Sequence, residues 1–133
     1  MPAARLSARW VLPIRGPAIE QGAVLIGSDG RIERVGPDAS VPRPPAVRAE
    51  HFPDGLLLPG LVNTHTHLEL TGLDLGPPEP DFPAWIGRVR AIKESRTPDD
   101  FLAAARRGLA DCYATGVTTV GDTGDSGAVI RAL

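Results

Sequence analysis

Residues 58–70, "LPGLVNTHTHLEL", place the strongest constraint on how this chain folds. Pro59-Gly60 marks a turn inside an otherwise apolar run, because proline cannot continue a central strand and glycine permits a sharp backbone bend. The residues that follow, from Leu61 to about His67, therefore predict a fully buried strand. That strand ends on a pair of histidines, so the sequence predicts metal-binding side chains at the edge of a sheet.

His65 and His67 are expected on the same side of this strand, together with residues 63 and 69, because side chains alternate along a strand. Their Cα atoms would lie about 6.5–7 Å apart, and two imidazoles at that distance can converge on one ion. Neutral imidazole suits zinc, iron and nickel, so the spacing does not choose the metal. Histidines held by ordinary hydrogen bonds remain the alternative, since a catalytic zinc usually has three protein ligands.

Strand and helix signals flank the motif on both sides. Upstream, the sequence predicts a first strand at 4–14 and a hairpin at 22–35 that turns around Ser28-Asp29-Gly30. A proline-rich loop at 37–47 and a short strand at 46–52 follow. Downstream, it predicts a proline-rich loop at 71–83 and two helices at 83–95 and 98–115. A buried strand at 117–122 and the beginning of a further helix at 126–133 complete the order. Strands that alternate with helices in this second half predict an α/β fold with a parallel sheet.

The composition narrows the classes of partner. The formal net charge is −2, and this near balance argues against nucleic-acid or membrane-surface binding, which usually needs a basic excess. The N-terminal residues lack the continuous apolar segment of a signal peptide. One cysteine, Cys112, excludes an intrachain disulfide and fits a reducing compartment. The expectation is therefore a cytoplasmic protein that takes a small-molecule substrate.

The motif at 58–70 resembles the signature of the amidohydrolase superfamily, in which Pro-Gly and two apolar residues precede Asn-x-His-x-His. "GAVLIGSDGRIERVG" is similar to that family's opening β-sandwich strands, and "ATGVTTVGDTG" (114–124) to its second barrel strand. "HTHLELTGL" followed by "FPAWI" looks most like the deaminase and chlorohydrolase branch, which includes aminodeoxyfutalosine and adenosylhomocysteine deaminase-like enzymes. The resemblance implies a β-sandwich portion at 1–58 and an incomplete (β/α)₈ TIM-like barrel, its first two strands, at 59–133.

The resemblance also implies an activity. The chain would be the N-terminal fragment of a metal-dependent hydrolase that acts on non-peptide carbon–nitrogen bonds, by deaminating an aminated heterocycle or nucleoside. His65 and His67 would bind the divalent metal, with zinc favoured over iron or nickel. The family's other ligands and its catalytic acid/base groups have no counterpart in this sequence, so no catalytic residue is assigned. The alternative is an inactive truncated product with at most a partial metal site.

Two further expectations follow from incompleteness and from rival motifs. An open barrel of two strands leaves a sheet edge unpaired, which predicts association into homo-oligomers or aggregation.

A metallo-β-lactamase-type hydrolase also uses His-x-His, but it needs Asp and His where this chain has Glu69 and Leu70. The sequence therefore disfavours that class.

Four residues are candidates for contacts with the substrate. Glu69 is predicted on the histidine face, where a solvated or structural carboxylate is the alternative. Asn63 orients either the strand or the site, and Asp122 ends the second strand at the rim where barrel enzymes place their chemistry. Trp85 would line the wall of a substrate pocket, although a helix aromatic more often packs in a core.

Overall fold

The computed structural model describes residues 3–133, which form two compact units divided between Pro59 and Gly60. The N-terminal unit is a four-stranded sheet in the order β3-β2-β1-β4, with β1–β2 and β2–β3 antiparallel and β1–β4 parallel. Its strands are β1 (Ala4–Val11), β2 (Ile19–Ile26), β3 (Ile32–Pro37) and β4 (Arg48–Leu57). A 3₁₀ turn at Asp38–Ser40 lies inside the segment that the prolines mark as a loop.

The predicted hairpin is confirmed as β2 and β3. Its turn needs a positive φ, which glycine adopts without steric cost, and Gly30 has φ +79°. The Asp29 carboxylate accepts a hydrogen bond of 3.0 Å from the backbone N–H of Arg31, which closes the turn. Strand β4 is longer than predicted and runs through Pro53. It is an edge strand, where a missing N–H removes no necessary ladder bond.

A buried arginine attaches the proline-rich segment to this sheet. Only 2% of the Arg5 side chain is exposed, and it donates to the Asp38 carboxylate at 2.7 Å and to the carbonyls of Asp38, Val41 and Pro42. Arg43 pairs with the other carboxylate oxygen of Asp38. The hydrogen bond and charge of Arg5, assisted by Arg43, hold the pKa of Asp38 below its ordinary value.

The ion pair predicts an acid-dependent loss of stability. A carboxyl group whose pKa is lower in the folded chain stabilises fully above its ordinary pKa, and this contribution disappears as the pH falls through the folded value. We therefore expect Asp38→Asn to lower the free energy of unfolding by about 1–3 kcal/mol at neutral pH and to cost progressively less as the pH falls below the ordinary pKa of an aspartate. Urea unfolding followed by Trp10 fluorescence, in a Trp85→Phe background, measures this. A cost that stays constant with pH would contradict it.

The C-terminal unit contains the remaining elements: β5 (Leu61–Thr66), a 3₁₀ turn (Leu68–Leu70), α1 (Phe82–Glu94), α2 (Pro98–Ala114), β6 (Val117–Asp122) and α3 (Ala128–Ala132). Strands β5 and β6 pair in parallel. The turn after β5 packs with α2 and α3 around a small core of Leu68, Ala105, Ala128 and Val129. Helices thus connect and cover a parallel strand pair, which is the mixed α/β content that the sequence predicts.

The boundaries of α2 follow the sequence signals closely. The Thr97 hydroxyl accepts from the backbone N–H of Asp100, and the Asp100 carboxylate accepts from the N–H of Thr97, so a capping box begins the helix. Pro98 occupies the first helical position, and Gly116 follows the helix with φ +83°. Within residues 3–133, no helix has the length and apolar character needed to cross a membrane.

Two predictions about β5 are wrong. The strand is not fully buried, because it has one hydrogen-bonded neighbour, β6, and Leu61 and Val62 are 49% and 61% exposed. Alternation of side chains also does not reach residue 69, because the strand ends at Thr66 and the backbone then turns into the 3₁₀ segment. His67 has ψ 72°, outside the extended range, and Glu69 lies in the turn with no exposed surface.

Candidate metal site

The two motif histidines lie together at the carboxyl end of β5. Their ring centroids are 5.3 Å apart, with the ring planes at 73°. His65 is within the strand and His67 directly follows it, and both side chains are exposed. The Asn63 side-chain oxygen accepts from the backbone N–H of His65 at 3.2 Å. Asn63 therefore braces the strand locally.

This separation is compatible with two ligands on one metal. With Zn–N bonds of about 2.1 Å, an imidazole centre lies about 3.2 Å from the ion, so centres 5.3 Å apart subtend about 110°, close to a tetrahedral angle. Across residues 3–133, no cluster of three or more His, Cys, Asp or Glu side chains is arranged to hold a metal. The ring separation is therefore compatible with two ligands on one ion, and their role as ligands stays a prediction.

Thr123, which the sequence did not single out, contacts the His67 ring. Its hydroxyl oxygen lies 3.1 Å from His67 Nε2 and 3.1 Å from the carbonyl oxygen of Thr66, and its backbone N–H donates to the same carbonyl at 2.8 Å. The sequence offered one indication that Thr123 lies near the histidines: it directly follows β6, and neighbouring parallel strands end at the same edge of a sheet.

Asp122 ends β6 beside the histidine segment. One carboxylate oxygen accepts from the backbone N–H of Leu68 at 2.8 Å and the other from the N–H of Gly124 at 3.0 Å. Both oxygens are thus bonded to backbone groups. Asp122 joins the turn after β5 to the loop after β6.

Glu69 is buried beside the same loop. Lys93 Nζ lies 3.0 Å from Glu69 Oε1, and Ser126 donates its backbone N–H, at 3.0 Å, and its hydroxyl to Oε2. Burial opposes ionisation, but the bonds from Ser126 and Lys93 outweigh it and keep the pKa of Glu69 below its ordinary value. Lys93 also pairs with the exposed Asp125 at 2.5 Å, and these carboxylates raise the pKa of the ammonium group.

Trp85 lies in the first turn of α1, next to Phe82. Their ring centroids are 5.5 Å apart, and both side chains are exposed. Within the described residues, no ring contact joins Trp85 to either histidine. Its predicted contact with a substrate stays a prediction.

Comparison with known proteins identifies proteins whose sequences are similar to this chain. The chain is 32% identical over 112 residues to a 5-methylthioadenosine/S-adenosylhomocysteine deaminase of Nitratidesulfovibrio vulgaris. The aligned region covers 78% of this chain and 24% of that protein. The Moorella thermoacetica deaminase of the same name is 31% identical over 114 residues, covering 84% and 26%. This chain therefore spans about a quarter of the length of these relatives.

Solved structures give the same grouping. A Xanthomonas campestris adenosine deaminase with bound zinc matches 88% of this chain and 28% of its own, with 30% identity and a TM-score of 0.76. A Helicobacter pylori aminofutalosine deaminase matches 98% and 32% with a TM-score of 0.78, and its 20% identity makes this a likeness of fold alone. The sequence profile of the amidohydrolase family matches residues 56–133, which include the histidine motif, β6 and the helices between them. This chain belongs to the amidohydrolase family.

Proposed function

We propose that this chain is the N-terminal part of a metal-dependent amidohydrolase that hydrolyses a non-peptide carbon–nitrogen bond. The expected reaction is deamination of an aminated heterocycle or nucleoside. In this proposal the C-terminal unit begins a (β/α)₈ barrel with β5 and β6, and the N-terminal sheet is part of a β-sandwich. The deaminase names of the relatives and the zinc in a 30% identical structure support this class of reaction.

The observation that supports the proposal is the proximity of the His65 and His67 rings at the carboxyl end of β5. These residues would hold a divalent metal, with zinc favoured. Such an ion lowers the pKa of a water molecule and so supplies a nucleophile at neutral pH. His65 and His67 would fix the ion, Asn63 would hold the strand beneath His65, and Asp122 would keep the two strand ends together.

The second candidate is a chain without catalytic activity and with a partial site. It is favoured by the finding that residues 3–133 hold no cluster of three metal-binding side chains. The two candidates differ in turnover. Absorbance assays with 5′-methylthioadenosine and S-adenosylhomocysteine, with zinc added, compare the two candidates directly. Deamination by this chain alone would contradict the candidate without catalytic activity.

Metal binding tests the site independently of turnover. We expect His65→Ala with His67→Ala to abolish zinc binding, because it removes both nitrogen ligands. Isothermal titration with Zn²⁺ alone, before and after the double substitution, gives the stoichiometry and affinity.

His51→Ala is the matched control. His51 lies in β4, and its Nδ1 contacts the Ser7 hydroxyl at 3.0 Å, so it takes no part in the proposed site. Equal zinc binding by the parent chain and the His65/His67 double variant would refute the metal assignment.

A further inference from the structure

Glu69 is a buried carboxylate that accepts hydrogen bonds from Lys93 and Ser126. None of its surface is exposed, and it is one of the two largest fully buried side chains among the described residues. Oε1 accepts from the Lys93 ammonium group, and Oε2 accepts from the N–H and hydroxyl of Ser126. A carboxylate committed on both oxygens and sealed from solvent is poorly suited to contact a substrate. Its geometry suits a supporting role.

The Ser126 bonds of Glu69 end on the loop that also touches His67, whereas Lys93 belongs to α1. The backbone N–H of Leu68 donates to Asp122, and Thr123 bonds both the Thr66 carbonyl and the His67 ring. Residues 122–126 are therefore attached to the histidine segment on both sides of His67, through Thr66 before it and Leu68 and Glu69 after it.

The loop passes close to Glu69 at residue 124. A Cβ added to Gly124 would lie 2.8 Å from the Glu69 carboxyl carbon and 2.9 Å from Asp122 Oδ2, so a side chain here would push against both carboxylates. The loop backbone therefore lies against Glu69, and the two Ser126 bonds attach it there.

We propose that Glu69, held by Lys93 and Ser126, is a positioning residue that fixes the His67 imidazole through the Thr123 loop. The consequence for metal affinity rests on the proposed function, whereas the consequence for ring orientation does not. Groups that orient a metal-binding histidine typically change metal affinity 10–100-fold when they are removed.

Glutamine at residue 69 isolates this role because it keeps the size of the side chain. A glutamine amide has one acceptor oxygen and one NH₂ donor. Since the Lys93 ammonium group and the Ser126 backbone N–H can only donate, the NH₂ group must face one of them, and that bond is lost. Ser126→Ala is a milder change: it removes the hydroxyl, which donates to Glu69 and accepts from the backbone N–H of Ala128, and it keeps the backbone bond to Glu69.

The test measures ring orientation and metal affinity separately. In the metal-free chain we expect the nuclear Overhauser effect between the His67 ring and the Thr123 methyl group to weaken strongly in Glu69→Gln and partly in Ser126→Ala. Titration with Zn²⁺ alone should give about 10–100-fold weaker binding for Glu69→Gln, with Ser126→Ala in between.

One control separates positioning from general destabilisation. Asp38→Asn breaks the buried ion pair of the N-terminal unit and leaves Glu69 and residues 122–126 unchanged. It should keep the parent's Overhauser effect and zinc affinity. If folded Glu69→Gln or Ser126→Ala also keeps both, the positioning role is wrong. If the parent and the double histidine variant bind zinc alike, the proposed function fails, while the Overhauser comparison still decides the role of Glu69.

Discussion

Replacing Leu68 with alanine is expected to lower the free energy of unfolding of this chain by about 2–5 kcal/mol. Leu68 is 4% exposed and is the one large aliphatic side chain contributed by the turn after β5 to the core with Ala105, Ala128 and Val129. Its buried neighbours Ala105, Ala128 and Val129 are too small to fill the space that the substitution leaves, and the larger side chains packed against this core are only partly buried. The cavity therefore persists, and its cost adds to the lost burial of apolar surface.

Trp85 provides the measurement for this substitution, because the chain has two tryptophans and they lie in different units. Urea unfolding followed by fluorescence in a Trp10→Phe background reports on the C-terminal unit. Leu133→Ala is the matched control: Leu133 is 88% exposed, and surface substitutions usually change stability by less than about 0.5 kcal/mol. A cost below about 1 kcal/mol for Leu68→Ala would mean that this core does not stabilise the unit.

The sequence predicted well those features that depend on neighbours within a few residues. The capping box of α2 lies entirely within Thr97–Asp100, and the hairpin turn within Ser28–Gly30, so residue type and spacing suffice. The proximity of the two histidine rings belongs to the same class, since the residues are two positions apart on one short backbone segment. Local chemistry of this kind is visible without a structure.

Features that depend on distant partners were not predictable. Apolar content predicts burial only if neighbouring elements cover the strand, and β5 has one paired neighbour. Glu69 meets Lys93 and Ser126 across 24 and 57 residues of sequence, and Thr123 meets His67 across 56. No pattern within the motif encodes those pairings. The alternation argument failed for Glu69 because the strand ends at Thr66, three residues before it.

Replacing Gly121 with alanine is expected to disrupt the pairing of β5 with β6 and to lower the free energy of unfolding by about 3 kcal/mol. A Cβ at residue 121 would lie 2.6 Å from the carbonyl oxygen of Thr64. That oxygen belongs to the neighbouring backbone and cannot rotate away as a side chain could, so the strands must separate. Gly121 lies at an irregularity of the ladder between the Asn63–Val120 and Thr66–Asp122 pairs, where glycine permits close backbone approach.

Gly87→Ala is the matched control, because it makes the same chemical change with the opposite expected sign. A Cβ at residue 87 in α1 would meet no atom within 4 Å, and alanine in a helix interior is about 0.5–1 kcal/mol more favourable than glycine. Urea unfolding followed by Trp85 fluorescence compares the two variants. Because β5 ends at the histidines, Gly121→Ala should also weaken the Overhauser effect between His67 and Thr123, and Gly87→Ala should not. Equal stability of the two variants would show that the strand pair tolerates separation, and the metal site would then need a support other than β6.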